Sequence, residues 1–373
     1  PFRQRDVARA QADLLALGLF ESVKAESSIR PGGVDVVLAA AEHPPFSLGY
    51  GVRWESDSGP AAVLDVVDRN LLGRGLTIGL RGLYDPDDRA LRLFGGLPES
   101  LLGFGLEGWY EDRRSFRPGL FGDRRTDTAE ASLQLSRTLS RALSARLYGR
   151  YKTSRVFEDD PYFPLDVRVE YPYVGLGLVW DDREDPILGT RGLFASVDVE
   201  ASGGWLGSSF SYTRAYAQAG LYRPLLALGT GRVVWAQSLR VGLASAHEGQ
   251  ELIPDVRFYA GGSYSVRGYP TESLGPREDL GGTFFATGGS TLLVVNEELR
   301  VPLRPYLLGV AFFDAGQVWA SSDDFGTDLA TSVGLGVRVI TPLGLLRLDG
   351  ALPLRRRPGD PGYKVTFGFG NVF

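Results

Sequence analysis

Residues 363–373 read Tyr-Lys-Val-Thr-Phe-Gly-Phe-Gly-Asn-Val-Phe. Apolar side chains recur at every second position or so and share one face: Tyr363, Val365, Phe367, Phe369 and Phe373. The opposite face carries small or polar residues: Lys364, Thr366, Gly368 and Gly370. Because successive side chains of a strand point to opposite faces, this period of two predicts a β-strand with one apolar and one polar face.

The same alternation recurs from residues 46–55 onward in sixteen segments. They begin near residues 46, 60, 74, 88, 101, 126, 141, 169, 191, 209, 231, 288, 306, 328, 344 and 362. The segments run about ten residues or more, whereas strands of soluble sheets are usually ~5–6 residues long and membrane-crossing strands ~9–11. Their length therefore favours strands that cross a membrane.

Two further features separate a membrane barrel from a soluble sandwich. The polar face is rich in glycine, arginine and carboxylates, as expected for a water-filled lumen. The connections alternate between short ones, at 71–75, 98–100 and 302–305, and long ones, at 113–127, 156–168 and 247–287. This pattern is typical of outer-membrane barrels, which must close because an open sheet edge in hydrocarbon leaves backbone groups unpaired. We therefore predict an all-β fold: a closed antiparallel transmembrane β-barrel of about sixteen strands over residues 46–373.

Tryptophans near the segment ends fit the aromatic girdles that flank the apolar band of such barrels. They are Trp54, Trp109, Trp180 and Trp319.

Residues 1–45 have a different pattern. Apolar residues at helical spacing, from Val7 to Leu17, are followed by two strand-like segments, 20–29 and 34–41, and then by His43-Pro44-Pro45. One helix and one hairpin form too small a core to fold alone. We expect residues 1–45 to be the C-terminal part of a larger α+β module, and the chain, which opens at Pro1, to be a mature or truncated product.

Composition excludes several classes of protein. The chain has no cysteine, which rules out disulfide scaffolds and thiolate sites. It carries 40 Lys+Arg against 45 Asp+Glu, a net charge of −5, which argues against a nucleic-acid partner. Its longest apolar runs fall short of the ~18 residues that a membrane helix needs.

Signals for an enzyme are weak. The two histidines, His43 and His247, stand in no recognisable catalytic context. A G-x-G-x-x-G run at 103–108 lies in an alternating segment with no helix after it, and the acidic run 181–185 fits a charged turn better than a cation site. We predict no catalytic residues, no metal site and no cofactor.

One loop stands out by its content. Residues 257–269 read Arg-Phe-Tyr-Ala-Gly-Gly-Ser-Tyr-Ser-Val-Arg-Gly-Tyr, within the longest connection. We expect this aromatic and glycine-rich loop to fold back into the lumen, where Arg267 would need carboxylate partners on the wall. Alternation turns Glu298 and Asp314 toward the lumen, which makes them the candidate partners of Arg267. The alternative is that Arg267 is solvated at a loop tip. Alternation also turns Glu297 toward lipid, for which a local bulge is one explanation.

These motifs together resemble the BamA/TamA superfamily of outer-membrane assembly proteins. The loop motif Val266-Arg267-Gly268-Tyr269, the aromatic-Asp-Ala-Gly strand at 312–319 and the segment 341–349 match family motifs, although Leu345 stands where proline is usual. Residues 15–20 and 34–36 are similar to the second half of a POTRA module. The loop sequence leans toward the TamA-like branch, with BamA close behind.

The resemblance implies a function: inserting, or assisting the insertion of, β-barrel clients into the bacterial outer membrane. It implies outer-membrane lipids, unfolded client barrels and companion subunits bound through a periplasmic N-terminal module as partners. We expect a lateral seam between the first and last strands, weakened by poor packing and able to offer an edge to a client strand. The seam residues would be Gly49, Gly51, Gly368, Gly370 and Phe373.

Three alternatives remain open from the sequence. A two-partner secretion pore shares the fold and the loop motif but exports one dedicated substrate. A passive diffusion porin would need no N-terminal module. An outer-membrane hydrolase would depend on His247.

Overall fold

The computed structural model describes residues 6–8, 10–11, 14, 20–56, 58–99, 103–118, 123–158, 165–280, 283–342 and 344–369. The N-terminal hairpin consists of β1 (Phe20–Arg30) and β2 (Gly33–Glu42). Sixteen further strands form the barrel: β3 (Phe46–Glu55), β4 (Gly59–Leu71), β5 (Leu76–Tyr84), β6 (Asp88–Leu97), β7 (Gly105–Pro118), β8 (Asp123–Thr138), β9 (Leu143–Glu158), β10 (Leu165–Asp181), β11 (Gly192–Ser202), β12 (Tyr212–Leu228), β13 (Gly231–Ala246), β16 (Thr291–Arg304), β17 (Leu307–Trp319), β18 (Ala330–Thr341), β19 (Gly344–Pro353) and β20 (Lys364–Phe369). A small hairpin, β14 (Arg277–Leu280) and β15 (Thr283–Ala286), lies inside the longest connection, and single 3-10 turns occur at Gly204–Leu206 and Ser322–Asp324.

The sixteen strands form one closed antiparallel sheet in which each pairs with its sequence neighbours and β20 pairs with β3. The predicted strand count is therefore confirmed, and each predicted segment begins within four residues of a strand. We call the end where β3 begins and β20 ends the terminal end, and the opposite end the loop end. The connection between β13 and β16, residues 247–290, lies at the loop end.

The two faces of the wall differ as the alternation predicts. On β3 the apolar residues Phe46, Leu48 and Tyr50 are 69%, 66% and 49% exposed on the outside. On β18, Leu335 is 72% exposed, whereas its inward neighbour Arg338 is fully buried. An apolar exterior around a polar interior is the arrangement of a barrel that sits in lipid.

Two connections are shorter than predicted. The prediction of long loops over 113–127 and 156–168 is wrong. In the first region β7 continues to Pro118 and β8 begins at Asp123. In the second region β9 continues to Glu158 and β10 begins at Leu165. Charged residues in these extensions still pair across strands, as Arg155 does with Asp166. Ladder hydrogen bonds and cross-strand ion pairs therefore prolong strands whose composition resembles a loop.

The prediction of an aromatic girdle holds for two of the four tryptophans. Trp54 and Trp180 are 43% and 41% exposed on the outside. Trp109 instead lies against the Arg92 and Arg150 guanidinium groups, and Trp319 is buried against Phe325.

In the N-terminal region the structure describes the predicted hairpin, with Ala25 opposite Leu38. The complete POTRA module is not seen, and most of the predicted helix, including Leu17, lies outside the described residues. Within the described residues, none of the helical segments has the length and hydropathy of a membrane span.

Candidate functional site

The connection at residues 247–290 folds into the barrel; we call it the lumenal loop. Its buried side chains Phe258, Val266 and Tyr269 pack against Leu292 and Val294 of β16. Gly268 allows the close approach to the wall, since a Cβ there would lie 2.7 Å from the Ser332 Cβ and 2.9 Å from the Pro353 nitrogen. The backbone of the loop motif therefore lies directly on β18 and β19.

Arg267 is 1% exposed and faces β16 and β17. Its Nε and Nη2 donate to the two oxygens of Asp314 at 2.8 and 2.7 Å, and its Nη1 donates to Glu298 Oε1 at 2.6 Å. The guanidinium also lies over the Phe312 ring, 3.4 Å from its centroid. The structure thus brings together the three charged residues expected from the sequence, with the bidentate geometry that arginine forms with carboxylates.

Burial alone would lower the pKa of Arg267, but Asp314 and Glu298 outweigh it and hold that pKa above its ordinary value. Arg267 therefore remains a cation throughout the physiological range.

The network around Arg267 is larger than the sequence indicated. Arg300 Nε donates to Glu298 Oε2 at 2.8 Å, Arg338 Nη1 donates to Asp349 Oδ1 at 2.6 Å, and Asn296 Nδ2 donates to Asp314 at 2.8 Å. All six of these wall residues stand at inward positions of their strands. Alternation therefore places them in the lumen, but it does not show which of them meet. Arg267, Arg300 and Arg338 thus pair with Glu298, Asp314 and Asp349 in one buried cluster, and such pairing is the condition under which buried charges are tolerated.

Arg300 also reaches the terminal end of the barrel. Its Nη1 donates to the Leu188 carbonyl, 2.7 Å away, in the turn between β10 and β11. The acidic run at the start of this turn is internally paired: Arg183 binds Asp181 at 2.8 Å, and Asp185 accepts the backbone N–H of Ile187. A charged turn is therefore what the structure shows there.

Glu297 points outward, as alternation requires, and the strand has no bulge at this position: its register is continuous with β13 and β17. The bulge interpretation is therefore wrong. Trp235 Nε1 and Gln237 Nε2 instead donate to the two carboxylate oxygens at 2.7 and 2.9 Å. Hydrogen bonds from neighbouring outward side chains satisfy the carboxylate.

The seam is short. Among the described residues β20 pairs with β3 only from Thr366 opposite Glu55 to Gly368 opposite Arg53, whereas β4 pairs with all of β3. Gly370 and Phe373 lie outside the described residues, and Gly49 and Gly51 stand on β3 beyond the described pairing. Gly368 lies at the seam, and a Cβ there would approach Arg53.

One carboxylate joins both sides of this seam to the lumenal loop. Glu55 is 1% exposed; its oxygens lie 2.5 Å from Lys364 Nζ on β20 and accept hydrogen bonds from Ser263 Oγ at 2.6 Å and Thr271 Oγ1 at 3.2 Å. Lys364 also donates to the Tyr269 carbonyl at 3.3 Å. We call Glu55, Lys364, Ser263 and Thr271 the clasp. No local sequence pattern points to the clasp, although Glu55 and Lys364 both lie on the polar face of their strands.

The lumenal loop is anchored asymmetrically. Its first part packs Val256 against aromatic residues of β9–β12, and Lys152 on β9 binds Asp255 at 2.8 Å. On the opposite side, against β3–β5, a cavity of about 1110 Å³ remains, with Arg53, Asp85 and Phe284 among its lining residues. Space is therefore left beside the first strands.

Potential metal ligands form no cluster in the described part of the chain, which contains no group of three potential metal-ligating His, Cys, Asp or Glu side chains. His247 Nε2 lies 2.9 Å from Thr213 Oγ1.

Comparisons with known proteins agree on one family. A model described as the Omp85 superfamily domain matches residues 70–373. The outer membrane protein assembly factor BamA of Neisseria meningitidis serogroup B is 25% identical over an alignment of 439 residues, which covers 100% of this chain and 53% of that protein. The BamA of Nitratidesulfovibrio vulgaris is 33% identical over 201 residues, 52% of this chain and 24% of that protein. The chain thus spans about half the length, or less, of these relatives.

Solved structures show the same fold. BamA from Haemophilus ducreyi lacking POTRA domains 1–3 superposes with a TM-score of 0.79 at 20% identity, covering 98% of this chain and 78% of that one. CdiB from Acinetobacter baumannii gives a TM-score of 0.64 at 18% identity, with 96% and 67% covered.

Proposed function

The chain belongs to the Omp85 superfamily, and on that premise we propose that it is the membrane-embedded part of a factor that assembles β-barrel clients in the bacterial outer membrane, where this barrel resides. The observation that carries the proposal is the seam, where Gly368 on the last strand stands opposite Arg53 on the first and the buried Glu55–Lys364 ion pair joins the two strands.

A strand edge in hydrocarbon leaves N–H and C=O groups without partners, each costing several kcal/mol. Opening the seam would therefore create a surface that strongly favours pairing with an incoming strand. The client's own folding would supply the free energy, and the protein would lower a kinetic barrier. In this scheme the clasp sets how readily the seam opens, because it contains a buried ion pair, Glu55 with Lys364, that crosses the seam.

We propose that residues 1–45 are the end of a POTRA module on the periplasmic side and that β1 and β2 receive clients by edge pairing. Val36 and Val37 of β2 are 38% and 60% exposed, which supports a role in binding extended segments. Companion subunits would act through the same module, and the TamA-like branch stays a prediction.

A disulfide across the seam tests the proposal. The Ser56 N–H donates to the Val365 carbonyl at 3.1 Å, so alternation makes Arg53 and Gly368 a non-hydrogen-bonded pair, where opposing side chains are closest. Oxidised Arg53→Cys/Gly368→Cys protein in lipid vesicles should fail to fold a client barrel, and reduction should restore folding. The reduced form of the same variant also lacks the Arg53 side chain, so it controls for the effect of removing that arginine. A second control, Leu64→Cys/Gly82→Cys, joins the register neighbours of β4 and β5 and should leave activity intact. Full activity with the seam disulfide formed would refute the lateral gate.

A two-partner secretion pore is the second candidate, and the likeness to CdiB favours it. It predicts export of one soluble substrate through the lumen. Vesicles that accumulate an unfolded secreted protein but do not promote client barrel folding would identify this function.

A further inference from the structure

The outward surface of β6–β10 carries a row of register neighbours near the loop end. Arg89 on β6 stands opposite Arg114 on β7, Arg114 opposite Asp127 on β8, Asp127 opposite Arg155 on β9, and Arg155 opposite Arg168 on β10. We call these five residues the arginine row. Four arginines and one aspartate, Asp127 in the middle, thus occupy neighbouring positions across five adjacent strands.

The height of the row on the barrel follows from the residues below it. Four residues farther along each strand toward the terminal end, the outward-facing neighbours form a second row. This row consists of Leu93, Tyr110, Ala131, Tyr151 and Pro172, and its members Leu93, Tyr110 and Tyr151 are about half exposed. The intermediate row holds two carboxylates, Asp112 and Glu170. The arginine row therefore lies just above the edge of the lipid-facing apolar band, at the depth of lipid headgroups.

Cross-strand neighbours of like charge are destabilising unless counter-charge is present. The row contains two such pairs, Arg89 with Arg114 and Arg155 with Arg168. Asp127 is shared by two arginines: Arg114 Nε donates to it at 3.0 Å and Arg125 Nη2 at 2.6 Å.

The protein offers only part of the counter-charge. Arg155 binds Asp166 at 2.6 Å and Arg168 binds Glu170 at 2.7 Å, and all four of these side chains are between 43% and 62% exposed. Arg89 lies beside the Tyr84 and Phe116 rings, and no carboxylate in the described ranges is within ion-pairing distance of it. The Arg89 guanidinium is therefore left to external anions, and the other three arginines form only partly exposed ion pairs at the headgroup layer.

We propose that the arginine row binds the phosphate groups of lipid headgroups in the outer leaflet. Guanidinium groups bind phosphate with two parallel hydrogen bonds, and the long side chains can reach headgroups while their stems cover apolar surface. Five adjacent strands span about 19 Å at a spacing of ~4.8 Å, enough for a glycolipid with two phosphates. The site depends on the position of the barrel in the outer membrane and not on its assembly activity.

The test is lipid retention by the purified chain in neutral detergent, followed by native mass spectrometry. The probes are a bis-phosphorylated glycolipid, the same glycolipid without phosphates, and inorganic phosphate. The row variant is Arg89→Gln/Arg114→Gln/Arg155→Gln/Arg168→Gln. The matched control removes four exposed arginines elsewhere: Arg74→Gln/Arg137→Gln/Arg141→Gln/Arg223→Gln. Each arginine near an anionic surface contributes about 1 kcal/mol, or about fivefold in affinity.

We expect the parent and the control to retain the phosphorylated glycolipid. The row variant should bind it on the order of several hundredfold more weakly, and Arg89→Gln alone about fivefold more weakly. Retention of the dephosphorylated glycolipid, equal binding by the row variant, or displacement of the glycolipid by millimolar inorganic phosphate would overturn the proposal. Unchanged heat-modified gel mobility verifies that each variant is folded.

Discussion

Replacing Arg267 with alanine should strongly destabilise the barrel. The change removes a cation that makes three hydrogen bonds of 2.6 to 2.8 Å to Asp314 and Glu298, whose side chains are fully buried. Breaking a buried ion pair from one side costs about 3–5 kcal/mol, because the remaining charge stays desolvated. We expect Arg267→Ala to lower the free energy of unfolding by that amount.

The matched control is Arg355→Ala. Arg355 binds Asp328 at 2.7 Å, close to the Arg267 distances, but the two side chains are 66% and 92% exposed. An exposed pair contributes about 0–1 kcal/mol. Both variants should be measured by denaturant unfolding in the same detergent, at low and high salt, since salt screens the exposed pair and not the buried one.

Arg267→Lys separates charge from geometry. Lysine keeps the positive charge but cannot form the two parallel hydrogen bonds with Asp314. The free energy of unfolding of Arg267→Lys should therefore fall between those of the parent and of Arg267→Ala. A double-mutant cycle of Arg267→Ala with Asp314→Ala should show strong coupling. Equal losses for Arg267→Ala and Arg355→Ala, or simple additivity in the cycle, would refute the reasoning.

Three other predictions concern the wall and the seam. Lys364→Met removes the nearer of the two cations beside Glu55 and leaves Arg53 Nε, 3.2 Å from Oε1, as its remaining partner. The change should loosen the clasp, so that hydrogen exchange of β3 amides accelerates about tenfold for each ~1.4 kcal/mol lost. Gly268→Val should displace the lumenal loop, because its Cβ would overlap β18 and β19, and added protease should then cleave the loop. Gln237→Leu removes one of the two donors to Glu297 and should cost about 1–3 kcal/mol in unfolding measurements.

Each of these has a contrasting outcome. Unchanged exchange in Lys364→Met would mean that the clasp does not hold the seam. A Cβ at Gly149 meets no atom within 4 Å, so protease sensitivity shared by Gly149→Ala and Gly268→Val would remove the steric explanation. Equal stability of Gln237→Leu and the parent would show that Trp235 alone satisfies the carboxylate.

The sequence by itself determined the barrel, because a period of two is a local property of the chain. Each segment shows which side chains face lipid and which face the lumen, and strand length and closure follow from the physics of the bilayer. The same alternation was enough to place Glu298 and Asp314 in the lumen as the candidate partners of Arg267.

Only the tertiary structure decided which inward residues meet. Glu55 lies 208 residues from Ser263 and 309 from Lys364 along the chain, and no local pattern relates them. Their contact depends on the register at which the last strand meets the first and on the path of the loop through the lumen. Both are set by closure of the whole sheet, which sums the stagger of sixteen strands, so one residue of slip at any pair would bring different side chains together.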